Sequence, residues 1–431
     1  MKRFVGVRNN KIVIVSDHKF SDDSVVVYEL PQEFSDASSF ELMTRVRVID
    51  GKFVSKMSEK NISQMRIAFV GNWKMQCGIS SYSENLWPAV AQHFAEFRLF
   101  VEKNAEPTSK LNVMGKTEIP ESHVIQCWSR GESLDELVRQ IQSFDPDIVW
   151  IQHEFGLWSN ARHWLSMMSR LADFRVIVTM HSVFRHRDKT IVEAAMPEIV
   201  VHLEGAKHVL KEEKKLSNSV YVIPHGCNQV EESEKLWNFY RSSKTYMQFG
   251  FGFRYKGWEE SIHAASILKQ KYEDVFFTGL FSESHFAAKE HQLYYDELME
   301  LIERLGLQEN VAIIRGYQSD EALDSFLRTN QASVFPYVSH PAHEVWGASG
   351  AARIAMSKSI PVITSRINHF SDIPSIKAST PQEIADSLEK LFLDWKVKRA
   401  QINTQNAFVR ENSWEKVAQL YIQIFEKKLK Y

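Results

Sequence analysis

The strongest constraint in this sequence is a rhythm that runs twice along the chain. In a first block, short apolar runs at 65–70, 124–128, 148–152, 176–180 and 199–203 are separated by stretches with helical spacing at 78–94, 134–144 and 163–171. In a second block, runs at 246–251, 275–280, 311–314, 332–335 and 361–364 alternate with helical stretches at 257–272, 294–305, 320–328 and 348–356. Short apolar runs without polar alternation are strands buried on both faces. Such strands, separated by helices, form parallel sheets through βαβ units. The charged stretch 231–244 interrupts the rhythm and marks a domain boundary. The expectation is an α/β chain of two facing Rossmann-like lobes. Its ligand cleft lies between them, because open parallel sheets bind at the carboxyl ends of their strands.

The first sixty or so residues read differently. Apolar pairs flank Asn9-Asn10, and the alternation Arg45, Val46, Arg47, Val48, Ile49 runs into Asp50-Gly51 before Phe53 and Val54 resume. Both turns carry residues that tolerate positive φ, as tight hairpins require. The expected organisation is therefore a small antiparallel β module at 1–63, a first lobe at 65–240, a second lobe at 245–411 and a helix at 412–431. Trp414, Val417, Leu420, Tyr421 and Ile424 fall on one face of that helix, which would pack back on the first lobe.

Composition narrows the class. The 431 residues carry 52 Lys+Arg against 54 Asp+Glu, so a uniformly basic nucleic-acid coat is excluded. Three scattered cysteines without CxxC spacing argue against a disulfide framework and for a reducing, cytoplasmic setting. No apolar run is long enough to cross a bilayer, and no secretory signal is expected.

Six segments combine residue types that could carry chemistry, and five of them end predicted strands. Gly71 to Ser80 leads into a helix whose free amides and dipole favour phosphate, with Gly78 letting the backbone approach closely. His153 and Glu154 close one strand, and Thr179-Met180-His181-Ser182 closes another, followed by the basic loop Arg185, His186, Arg187 and Lys189. Pro224-His225-Gly226 turns a histidine outward. Arg254 and Lys256 sit where a strand passes into a helix, with the fork and point charge that clamp a diphosphate. His340, His343 and Glu344 precede Ser349-Gly350, small residues that open a helix. Plain turns and solvated cations would look the same one at a time. The order of the segments and their split between the two lobes carry the signal.

As an ensemble, from about residue 65 to the C-terminus, these segments resemble the retaining GT-B glycosyltransferases of glycosyltransferase family 4. The similarity rests on Gly78-Ile79-Ser80, Gln152-His153-Glu154-Phe155-Gly156, Ile223-Pro224-His225-Gly226, Arg254-Tyr255-Lys256-Gly257 and Ser349-Gly350-Ala351-Ala352-Arg353 before Pro361-Val362-Ile363. The resemblance implies roles. The first lobe would hold the acceptor and the second a nucleotide-diphosphate sugar as substrate, with no further cofactor. Gly78 would lie under the donor phosphate and His181 would line the sugar site. Arg254 and Lys256 would hold the diphosphate, with backbone amides from Ser349 and Gly350. Glu344 would lie near the acidic position facing the sugar, while Gly279, Arg315 and Gly316 would border the base. His153, Glu154 and His225 would face the acceptor. One departure is visible. Many members carry a Glu-x7-Glu pattern, and here Trp346 and Ile354 occupy its two positions.

The reaction so implied is sugar transfer to an acceptor hydroxyl with retention. Arg254, Lys256 and helix amides would stabilise the charge that develops on the departing nucleotide. No metal would be needed, and no Asp-x-Asp or His/Cys cluster has ligand spacing. The acceptor would be a glycan, a lipid-linked sugar or a small molecule. Two alternatives stand beside this. One keeps the chemistry but acts on a modified base in DNA through the basic loop. The other is a non-catalytic nucleotide-sugar-binding protein, motivated by the missing glutamate. The β module would serve oligomerisation or partner docking.

Overall fold

A computed structural model describes residues 2–9, 11–34, 42–43, 46–55, 60–103, 119–187, 198–216, 218–231, 244–284, 287–339 and 344–427. Asn10, most of the 231–244 boundary, Lys189, His340 and His343 lie outside these residues.

The N-terminal module is an antiparallel sheet of β1 (Phe4–Arg8), β2 (Lys11–Ser16), β3 (Val26–Glu29), β4 (Val46–Ile49) and β5 (Lys52–Ser55), ordered β3-β1-β2-β4-β5. Asp50 and Gly51, at φ of 50° and 75°, make the hairpin between β4 and β5. Val5, Val7, Ile12, Val46 and Val48 are buried in a core separate from that of the lobes. Lys11 reaches Asp173 at 3.0 Å and ties the module to the first lobe.

The first lobe is built on β6 (Arg66–Gly71), β7 (Glu96–Glu102), β8 (Val124–Trp128), β9 (Ile148–His153), β10 (Arg175–Met180), β12 (Glu198–Val201) and β13 (Ser219–Val222). A two-residue strand, β11 (Val183–Phe184), follows β10. Every pairing in this seven-stranded sheet is parallel, in the order β13-β12-β10-β9-β6-β7-β8. Its layer helices are α1 (Gly78–Ala91), α2 (Asp135–Phe144), α3 (Ala161–Arg170) and the short α4 (Glu204–His208). All six residues of β9 and of β10 are buried, which is why both read as unbroken apolar runs.

The second lobe repeats the plan with β14 (Lys244–Phe251), β15 (Val275–Ser282), β16 (Val311–Arg315), β17 (Ala332–Phe335), β19 (Val362–Thr364) and β20 (Ile376–Lys377). The short β18 (Val345–Trp346) lies outside its sheet. Helices α5 (Trp258–Lys269), α6 (Ala288–Arg304), α7 (Asp320–Thr329), α8 (Gly350–Ser357), α9 (Pro381–Leu393) and α10 (Trp395–Glu411) flank a parallel sheet ordered β16-β15-β14-β17-β19-β20. The expected fold class therefore holds: two Rossmann-like lobes behind a small antiparallel sheet.

The last helix, α11 (Trp414–Glu426), lies against the first lobe. The Tyr421 hydroxyl bonds Tyr82 at 2.9 Å and Thr179 at 3.0 Å, and Thr179 also accepts from the Trp150 indole at 2.9 Å. Its buried face differs from the sequence expectation at one position. Leu420 is exposed, and Ala418, Ile422 and Phe425 are buried beside Val417 and Tyr421. Among the described residues no helix is long and apolar enough to cross a membrane.

Candidate functional site

The carboxyl ends of the two sheets face each other, and the second lobe supplies the charge. After β14 the chain turns through Phe253 to Gly257. Gly257 has φ of 67°, and a Cβ there would collide with the Pro336 carbonyl, so only glycine lets the turn close. The turn presents Lys256. Its ammonium donates to the Tyr337 hydroxyl at 2.6 Å and sits 4.0 Å from that ring's centre. The same hydroxyl is 3.4 Å from Ser349 Oγ, which caps α8 by accepting from the Ala352 amide. A helix N-terminus with its unpaired amides thus stands beside a cation. Among the described residues, Lys256 forms no ion pair with any carboxylate. His369, against Tyr337 at 5.7 Å, has its pKa pulled down to about 3 by burial and by the Lys256 charge.

The first lobe supplies uncharged imidazoles. His181, His202 and His225 surround the Tyr82 ring, with centroids at 4.7, 5.2 and 5.1 Å. Their hydrogen bonds fix their protonation. His202 Nδ1 meets the Ile223 carbonyl at 2.9 Å and must donate to it, so its Nε2 accepts, and His181 Nδ1 donates to it at 3.4 Å. His181 Nε2 is then an acceptor, and the Gln152 Oε1 position lies 3.0 Å from it. The Gln152 nitrogen is otherwise buried without a partner, and turning it to His181 satisfies both groups. Burial holds all three rings neutral: it drives His181 and His225 well below the usual histidine range and His202 to about 4. His225 Nδ1 donates to the Gly226 carbonyl at 2.8 Å. Its Nε2 lies 3.5 Å from where a Cβ on Gly350 would stand, so it faces the α8 N-terminus across the cleft.

Other contacts join the lobes. β11 and β18 pair antiparallel, Val183 with Trp346 and Phe184 with Val345. A Cβ on Gly347 would lie 2.9 Å from the His181 carbonyl, so the small residue permits this approach. Arg353, fully buried in α8, donates to the Ser349 carbonyl at 3.0 Å and the His225 carbonyl at 3.2 Å, and pairs with Asp372. Glu154 accepts from Ser182 Oγ at 2.6 Å and the Phe155 amide at 2.9 Å. Burial pushes its carboxyl above the usual range, and Tyr255 of the opposite lobe lies within its electrostatic reach. At α1, Glu84 accepts from the Lys74 amide at 2.9 Å and from Ser80 Oγ at 2.6 Å, which holds the loop before Gly78. The space beside Gly78 is open. Tyr317 of the second lobe hydrogen-bonds Ser81 there, its phenol pushed up to about 12 by burial.

The structure thus brings Lys256, Ser349, Gly350, His181, His225 and Glu154 to facing walls and leaves other expected residues elsewhere. Arg254 and Lys256 are not brought together. Arg254 is half exposed, forks onto Glu297 of α6 with two 2.6 Å bonds and covers the Tyr294 ring. Glu344 pairs with Arg185 and accepts from Asn368 at 3.1 Å, so its carboxylate bridges the lobes instead of facing open cleft. Arg185 also forks onto Glu213, so the basic loop begins with a neutralised charge. His153 points away, packed against Phe155 and Trp164 with Nδ1 unpartnered and its pKa lowered to about 3 by burial. Strand alternation explains this, because Gln152, one residue earlier, takes the cleft side. Gly279 is packed within β15 against Ile313 and Trp258. Arg315 pairs with Glu283 at the sheet edge, and Gly316, at φ of 96°, has open space beside it.

Sequence reasoning missed Gln152, His202, Tyr337 and His369. His202 sat inside an apolar run and Tyr337 just beyond one, so both were strand ends in principle. Among the described residues, no group of three or more His, Cys, Asp or Glu could hold a metal ion.

No protein-family model matches the sequence, and no curated protein matches it. Solved structures do resemble it in fold. HepE of Anabaena in complex with UDP superposes with a TM-score of 0.63 at 13% identity, over 84% of this chain and 100% of that one. The α,α-trehalose-phosphate synthase of Burkholderia xenovorans in complex with glucose-6-phosphate gives 0.64 at 11% identity, over 84% and 100%. Sucrose-phosphate synthase of Thermosynechococcus elongatus gives 0.63 at 15% identity, over 85% and 100%. These neighbours are GT-B glycosyltransferases, and at such identities the likeness establishes the two-lobed architecture.

Proposed function

We propose that this chain transfers a sugar from a nucleotide-diphosphate donor to an acceptor hydroxyl. The observation that carries the reading is Lys256: a half-buried ammonium whose partner is a neutral phenol, beside the free amides of α8. A cation so placed, without a carboxylate, suits an anionic ligand, and the Ser349-Gly350 amides face the same gap. Diphosphate oxygens would complete both. As the nucleotide leaves, the charge growing on its phosphate would meet a preorganised cation and helix dipole. Arg254 is not part of this clamp, given its pairing with Glu297.

On the first lobe, neutral His225 keeps Nε2 as an uncharged acceptor, as suits a hydroxyl group of a sugar, while His181 lines the wall with both ring nitrogens engaged. Glu154, which accepts from Ser182 Oγ, would orient an acceptor hydroxyl. We extend the proposal to retention by front-face attack and to catalysis in which Lys256 and the amides supply the countercharge that a metal would give. The acceptor in this proposal is a glycan, a lipid-linked sugar or a small molecule. Lobe contacts such as β11 with β18 would exclude water during transfer.

The test is thermal melting of the full chain with UDP, GDP and ADP, in the wild type and in Lys256→Ala. One diphosphate should raise the wild-type melting temperature and leave the variant unmoved. No shift with any of them would refute the reading. Nucleotide release from the matching sugar donors then separates an enzyme from a protein that only binds.

A further inference from the structure

We infer that Trp346 is a positioning residue: it plugs the second lobe into the first and so sets the spacing between the two walls of the cleft. Its kinetic role rests on the sugar-transfer reading, and the plug itself on geometry alone.

Trp346 belongs to the second lobe by sequence, but its side chain is only 8% exposed and lies in a hydrophobic core of the first lobe, the one that holds Val183, Leu203 and Ala206. A glycine makes the socket. A Cβ on Gly205 of α4 would stand 2.4 Å from the indole nitrogen and 2.6 Å from Cδ1. The indole is a rigid plate, so a larger residue at 205 would push it out. Around the plug the lobes are clasped. Val183 pairs with Trp346 and Phe184 with Val345. The Arg185 guanidinium lies 5.2 Å from the Trp346 ring centre and pairs with Glu344, while its fork onto Glu213 holds it on the first lobe.

Distance along the chain decides what the clasp positions. On the second lobe, only Gly347 and Ala348 separate Trp346 from Ser349, the cap of α8. On the first lobe, Val183 follows directly on His181 and Ser182, and Ser182 donates to Glu154. One contact thus ties the phosphate-facing amides to the wall that would receive the sugar and its acceptor. Lys256 and the α8 amides all lie on the second lobe. Loss of the plug should therefore spare nucleotide binding and damage transfer, which needs both walls at once.

Two substitutions test this from opposite sides. Trp346→Ala deletes the plug, and Gly205→Ala fills its socket with one methyl while favouring helix in α4. Small-angle scattering of the full chain should show a larger radius of gyration in both. Both should bind the nucleotide diphosphate found by melting as the wild type does, and lose kcat about a hundredfold, as a misplacement of about 1 Å can cost. Trp346→Phe should recover most of the turnover, because a ring again fills the socket. In the double variant Gly205→Ala should add nothing to Trp346→Ala, since the indole it collides with is gone. A merely structural role would lower the melting temperature without this split between affinity and kcat. Unchanged scattering in both variants, nucleotide affinity that falls in step with kcat, or additive effects in the double variant would overturn the inference. If no nucleotide binds the wild type, the sugar-transfer reading fails, and scattering of the single and double variants alone decides the plug.

Discussion

The two walls of the cleft solve different problems with different chemistry. The second lobe offers a cation and a helix N-terminus, linked through one phenol from Lys256 to Ser349. The first lobe offers three imidazoles that burial keeps uncharged, braced by Tyr82 and by hydrogen bonds to carbonyls. Charge belongs where a phosphate would sit, and neutral donors and acceptors belong where hydroxyls would sit. The comparison teaches that one wall is tuned by what it leaves unpaired and the other by what it pairs fully.

The largest effect should come from removing the charge. Lys256→Ala should lower turnover about a hundredfold to a thousandfold, as loss of one preorganised electrostatic group does. Steady-state kinetics with the donor found by melting checks this. A variant with unchanged kcat would erase the contrast between the walls.

The neutrality of the opposite wall predicts a pH limit. In the folded chain His202 protonates only near pH 4, because burial penalises its charged form, whereas an unfolded histidine protonates near 6.5. Above about pH 6.5 neither state binds the proton and stability is complete. Between about 6.5 and 4 the unfolded chain takes a proton that the folded chain refuses, so stability falls, by roughly 3 kcal/mol for His202 alone. His181 and His225 shift in the same direction and add to the loss. Urea titrations across that range read it. In His202→Gln the acid loss should shrink, and an unchanged slope would show that the imidazoles are not held neutral.

How much of this was legible in the sequence depended on distance along the chain. Buried strands announced themselves: the runs read at 124–128 and 332–335 are β8 and β17 residue for residue. β7, Glu96–Glu102, did not, because Glu96, Arg98 and Glu102 break its apolar character. α9 and α10 were not read at all. At the site, Lys256 could be found because a Lys-Gly pair after a strand is a local feature. The fate of Arg254 could not, because Glu297 lies 43 residues further on and only α6 brings it close. His153 and Gln152 show the same limit at the finest scale. Both end β9, and which one faces the cleft depends on register, which a run of buried residues does not reveal.

A smaller effect tests how the uncharged wall is braced. Tyr421→Phe removes one hydroxyl from the buried chain joining Tyr82, Thr179 and Trp150. It should cost about 1–2 kcal/mol in urea unfolding, since the Tyr82 and Thr179 hydroxyls lose a partner away from water. Turnover should change less than in Lys256→Ala, because α11 supports the wall from behind.

The smallest effect separates two cations that the sequence sets two residues apart. Arg254 is half exposed and its guanidinium is occupied by Glu297, an exposed pair of the kind worth under about 1 kcal/mol. Arg254→Ala should therefore leave nucleotide affinity and turnover within about twofold of the wild type, since a surface pair contributes little. Glu297→Ala is the sharper probe, because it frees the guanidinium while leaving it in place. If the released arginine still ignores the nucleotide, its position in the turn after β14 and not its pairing keeps it out of the site. If nucleotide affinity rises, Arg254 is held in reserve by its carboxylate, and the charge of this wall is regulated by an ion pair instead of fixed at Lys256.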